Sequence, residues 1–181
     1  NNGRKLSYST FVGGPKIDFG VWRVFVEPSG DLFISGHVSS LNFLPADVIR
    51  PQGFKEEPGT YVMKLDAKGQ RILSARLMGD FSSGHDVQRL ASGDYLIAGN
   101  TTNPEFPTTP DAFDCTYHGG SSKWGTDGGD LYIMQLSADL KTVAFATLFG
   151  GTGDEAKPQV TTLPGGDIVV FGYTNSKDLP V

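Results

Sequence analysis

Apolar residues along this chain fall in short runs, many of them alternating with polar positions, and none long enough for a helix of several turns. Leu32-Phe33-Ile34, Tyr95-Leu96-Ile97-Ala98, Leu131-Tyr132-Ile133-Met134 and Ile168-Val169-Val170-Phe171 are bounded by Ser-Gly-Asp, Pro-Gly-Gly-Asp and Lys-Gly clusters. Such punctuation predicts many short strands joined by tight turns, so the expected class is all-β. Alternation marks a strand with one solvated face, whereas the unbroken apolar runs predict strands covered on both faces.

The strands recur as a unit. A glycine-ended strand appears as Leu6 to Gly14, Ile72 to Asp80 and Val143 to Gly151. A Gly-Asp turn then feeds an alternating strand at Gly30-Asp31, Gly93-Asp94 and Gly166-Asp167, spaced by 63 and 73 residues. A polar link ending in Leu-Pro or Phe-Pro follows, from Ser39 to Pro45, Thr101 to Pro107 and Thr174 to Pro180. A Tyr-x-Met-x-Leu type strand completes the set at Thr60 to Leu65 and Asp130 to Leu136, and the third copy does not reach it. With the segment before each Gly-Asp turn (Val24 to Val26, Val87 to Leu90, Val160 to Leu163), each unit contributes four antiparallel strands, which predicts propeller blades. The units run over 6–71, 72–142 and 143–181, the last incomplete, in one partial propeller spanning 1–181. Gly30, Gly93 and Gly166 are expected at the positive-φ position of a hairpin turn, with Asp31, Asp94 and Asp167 accepting local backbone bonds.

Leu6 to Gly14 and Gly99-Asn-Thr-Thr-Asn-Pro-Glu-Phe-Pro-Thr-Thr-Pro-Asp-Ala-Phe113 carry a resemblance: the pattern resembles the bacterial seven-bladed β-propeller repeat family. The quoted motifs span almost the whole chain. The first unit departs from the pattern in Ala46 to Phe54, and the second inserts Gly119 to Gly129 before its third strand. The resemblance implies a secreted or cell-surface scaffold and brings no shared catalytic residues with it.

The predicted count is eleven strands, under three blades, while propellers close with about four to eight. Ring completion is therefore expected from further strands, either of the same protein or of other chains, pairing with open edges at both ends.

Charge and composition narrow the partners. A net charge of -5 with 15 scattered Lys and Arg gives no basic stripe for phosphate, which argues against nucleic acid. No apolar stretch approaches the roughly 20 residues of a membrane-spanning helix. Cys115 is the only cysteine, so no intrachain disulfide forms, and it is expected as a packed residue.

Candidate chemistry is sparse. His37, His85 and His118 have no metal-ligand spacing, and Ser121 and Ser122 sit in no nucleophile elbow. Trp22 with Arg23, and His85 with Asp86, break the repeat where a first strand enters a channel, against Pro158 with Gln159 in the third unit. They are the candidate ligand contacts, Trp22 as a sugar-stacking platform and the others as hydrogen-bonding groups, weighed against a reading as solvated loop residues. Asp18 and Asp154, with Glu155 beside the second, are candidate Ca²⁺ ligands lacking a complete calcium loop. Asp127 and Asp130 read as a turn leading into a strand. The expectation is a non-catalytic extracellular scaffold or binding module for a polysaccharide or a protein. Part of a secreted carbohydrate-active enzyme, or a subunit paired through open edges, are the alternatives.

Overall fold

The computed structural model describes residues 4–6, 8–16, 20–55, 59–80, 82–120 and 128–180. Its elements are β1 Gly20–Val26, β2 Leu32–Val38, β3 Gly59–Leu65, β4 Ile72–Asp80, β5 Ser82–Arg89, β6 Tyr95–Thr101, β7 Asp130–Leu136, β8 Val143–Phe149, β9 Glu155–Thr162 and β10 Ile168–Thr174. No helix occurs among the described residues, so the fold is all-β. The strands form three antiparallel meanders ordered β1-β2-β3-β4, β5-β6-β7-β8 and β9-β10.

The same hairpin turn opens each sheet. Gly30, Gly93 and Gly166 have φ of 91°, 97° and 94°, and each donates its N–H to the carbonyl three residues back, Glu27, Leu90 and Leu163. A residue with a Cβ is strained there, which is why the turn recurs as Gly-Asp. Asp94 goes beyond a local role: its carboxylate accepts from Ala138 N and Gln135 Nε2, tying this turn to the β7–β8 corner.

The sheets stack face to face, and the unbroken apolar runs are explained by burial on both sides. Between the first and second sheets lie Phe33, Val62 and Met78 against Tyr95, Ile97, Tyr132, Met134, Leu136 and Leu148. The opposite face of the second sheet turns Leu96, Ala98 and Ile133 toward Val160 and Val170 of the third. Ile97 and its neighbours Leu96 and Ala98 thus pack into different cores, as a period of two requires. The outer face of the first sheet (Ile34, Tyr61, Met63, Ala75, Leu77) is covered by Leu44 and Val48 of the link and by Val12.

Three expectations change. Residues 8–14, expected as a strand, are not in strand conformation, and Phe11 is fully exposed. An isolated strand has no partner for its backbone groups, and composition alone does not supply one. The first strand of each sheet starts earlier than predicted, so Trp22 and His85 lie within β1 and β5. Cys115 is exposed rather than packed.

Candidate functional site

β1, β5 and β9 are the equivalent first strands of the three sheets, and β5 touches both others. Each carries a bulge at the same place. Register slips between Val21 and Arg23, between Gly84 and Asp86, and opposite Phe171 and Tyr173 in the third sheet. Trp22 and His85 are the extra residues of their bulges, and Arg23, Asp86 and Gln159 pair with Ser35, Ala98 and Phe171. The positions that break the repeat in sequence are therefore bulge positions, where a side chain is re-aimed.

Of the four candidate contacts, the structure brings Arg23 and Asp86 together. Arg23 Nη2 donates to Asp86 Oδ1 at 2.6 Å and Arg23 Nε to the same oxygen at 2.9 Å. Asp86 Oδ2 accepts from the backbone N–H of Val160 at 3.0 Å, and Oδ1 also accepts from Val87 N at 3.0 Å. One carboxylate on β5 thus fastens β1 on one side and β9 on the other. Trp22 is half-buried in β1, and the side chain of His85 lies outside the described residues.

The Asp86 side chain is largely covered while Arg23 is 44% exposed, so the two ends differ in energetic weight. Asp86→Ala leaves the Val160 N–H and the Val87 N–H without their acceptor and is expected to cost about 2–3 kcal/mol in urea unfolding. Arg23→Ala removes a half-solvated partner and is expected to cost about 1 kcal/mol or less. Equal costs would mean that the ion pair, not the bond to the third sheet, carries the clamp.

A second polar cluster sits at the far end of the contact between the second and third sheets. Glu155, 1% exposed, accepts from Thr174 Oγ1 and Ser176 Oγ at 2.6 Å each and from Gly151 N at 3.1 Å. Asp154, a candidate Ca²⁺ ligand, braces loops: Oδ1 accepts from Gly129 N at 3.1 Å, and its own N–H donates to Asn175 Oδ1 at 2.8 Å. Asp18 lies outside the described residues, as does Asp127. Among the described residues no group of three or more His, Cys, Asp or Glu side chains is placed to hold a metal ion.

Asp130, at the start of β7, is buried in this cluster with Oδ2 accepting from His118 N at 2.9 Å. Burial, with Glu155 nearby, pushes its carboxyl up to about 6, opposed by the bond from His118. The folded state therefore binds a proton that the unfolded chain releases near pH 4. Asp130 contributes most favourably at low pH, and that contribution is lost as pH rises from about 4 through 6. Asp130→Asn keeps an acceptor for His118 N and is expected to stabilise the fold at pH 7.5 by about 1–2 kcal/mol, with the gain gone at pH 4. Denaturant midpoints of the two proteins at both pH values check this.

Sequence spacing does not join the members of this cluster, which come from a strand start, a loop and a glycine-turn exit. The recurrence of acidic residues after the glycine pair was the one available signal. His118, exposed, pairs through Nε2 with Asp114 Oδ2 at 2.7 Å, which raises its pKa.

No family model, curated protein or solved structure matches the chain.

Proposed function

We propose that the chain is a run of β-propeller blades, two whole and a third begun, serving as a non-catalytic extracellular or cell-surface scaffold that binds a surface polysaccharide or a protein partner. The observation that carries the reading is the Asp86 clamp. Two four-stranded sheets and a two-stranded third have their first strands in contact, and one carboxylate on β5 bonds to both neighbours there. Blades around an axis share that arrangement, with first strands of neighbouring units in contact near the axis.

The clamp also favours a scaffold over an enzyme. Arg23 and Asp86 satisfy one another and the backbone, which leaves neither poised as an acid, a base or a nucleophile. Trp22, half-buried at the β1 bulge next to Arg23, is the stacking surface proposed for a sugar ring.

Affinity electrophoresis through gels containing purified bacterial surface polysaccharides tests this. Retardation by one of them is expected, lost in Trp22→Ala, with no new reducing ends released. Reducing ends whose appearance depends on Asp86 would replace the scaffold with the carbohydrate-active enzyme reading.

A further inference from the structure

Among the described residues, β2 and β6 are paired along both edges, whereas their counterpart β10 pairs with β9 alone. Beside its free edge lies an apolar cleft of about 540 Å³, lined by Leu131, Ile133, Phe145 and Phe149 of the second sheet and by Ile168 and Val170 of β10. The corresponding space between the first and second sheets is solid: Tyr132, Met134, Leu136 and Leu148 fill it against Phe33, Val62 and Met78. The cleft continues the established contact between the second and third sheets, where Val160 and Val170 already pack on Leu96, Ala98 and Ile133.

One glycine per sheet fixes what fits. Gly36 pairs with Tyr61 and Gly99 with Tyr132, and the rings lie against the glycine so closely that a Cβ would stand 2.8 Å from Tyr61 Oη and 2.5 Å from Tyr132 Cζ. Gly172 holds the same position in β10, with Leu131 Cδ1 the nearest side-chain atom a Cβ would meet, 3.7 Å away. The seat for an aromatic ring is thus built, and no ring of the described residues occupies it.

We propose that the β10 edge and its cleft bind an extended partner strand of the β3/β7 type, antiparallel to β10, with a Tyr opposite Gly172 and Met and Leu two and four residues further on. In this register the Met faces Val170 and the Leu faces Ile168, as Met134 and Leu136 face Ile97 and Tyr95. Main-chain bonds to β10 supply affinity and the alternate side chains supply selection. The inference rests on the stacked-sheet reading above and names the chemistry of one partner. Its failure is distinguishable from failure of that reading, because the Asp86 clamp does not involve this edge.

The probe is a labelled synthetic peptide copying residues 128–140 of this chain, titrated into the whole protein by fluorescence anisotropy, with amide hydrogen exchange of β10 read in parallel. Saturable binding is expected, together with slowed exchange along Ile168–Thr174. Replacing the peptide's Tyr by Ala, or N-methylating its β10-facing amides, is expected to weaken binding by about tenfold or more. In the protein, Gly172→Val, which fills the ring seat, and Ile168→Lys, at a position 38% exposed and therefore tolerant of the change, are each expected to do the same. Absence of binding, binding indifferent to N-methylation, or β10 amides already protected in a self-associated protein without peptide would each overturn the proposal.

Discussion

Gly99→Ala is expected to cost at least about 3 kcal/mol, or to prevent folding, although it adds a single methyl group. Gly99 is fully buried in β6, and a Cβ there would stand 2.5 Å from Tyr132 Cζ and Oη and collide with the carbonyl oxygen of Ser83 on the paired strand. The ring is itself 0% exposed and stacked on Phe106 with centroids 4.6 Å apart, so it has nowhere to retreat. The carbonyl belongs to the β5–β6 ladder and moves only if the ladder does. Overpacking in cores ordinarily costs about 1–3 kcal/mol, and a backbone collision places this case at or beyond the upper end. Gly165→Ala is the control: a Cβ there meets nothing nearer than an Asp167 oxygen at 4.0 Å, so the urea midpoint is expected within about 0.5 kcal/mol of the parent. A tolerated Gly99→Ala would mean that Tyr132 is not seated as described, and the register argument for β10 would lose its template.

Glu27→Ala is expected to cost about 2–4 kcal/mol. Glu27, 5% exposed, sits at the β1–β2 corner of the first sheet and reaches across to the second. It accepts from Tyr95 Oη at 2.5 Å and from Arg89 Nε at 2.8 Å. Burial, reinforced by this carboxylate, pushes the Tyr95 phenol well above its ordinary range, so the phenol remains a donor at any working pH. Removing Glu27 leaves a buried hydroxyl and a partly buried guanidinium without an acceptor, and unsatisfied buried groups cost more than a made bond contributes. Tyr95→Phe removes one donor, keeps the ring tilted against Phe33 at 4.5 Å between centroids, and is expected to cost about 1 kcal/mol. A double-mutant cycle between the two should return a coupling of about 1–2 kcal/mol. Additive costs would show that Glu27 acts only through Arg89.

Much of this was legible along the chain, for local reasons. The Gly-Asp turns were readable because a φ near +90° selects glycine whatever surrounds it. Strand type was readable because alternation is imposed by the pleat of a single strand. The recurring Gly-Asp turns located β2, β6 and β10. Even burial on both faces of Leu96-Ile97-Ala98 followed from the unbroken run.

What the sequence did not disclose depends on how one sheet lies on the next. Arg23 and Asp86 are candidate ligand contacts or solvated loop residues in the sequence, and the fold returns Asp86 to a point 2.6 Å from Arg23 while Val160 comes to the same carboxylate from the other side. Nothing in the sequence singles out Gly36 and Gly99, whereas the rings of Tyr61 and Tyr132 lie so close to them that a Cβ would collide. Residues 8–14 carry the sequence of a fourth strand without adopting one, because strand propensity becomes a strand only where another edge offers hydrogen bonds. By itself the sequence determined turns, strands and their period, which are set within a few residues. The tertiary structure decided which charges pair and which glycines lie against rings, since each is fixed by contacts between strands dozens of residues apart.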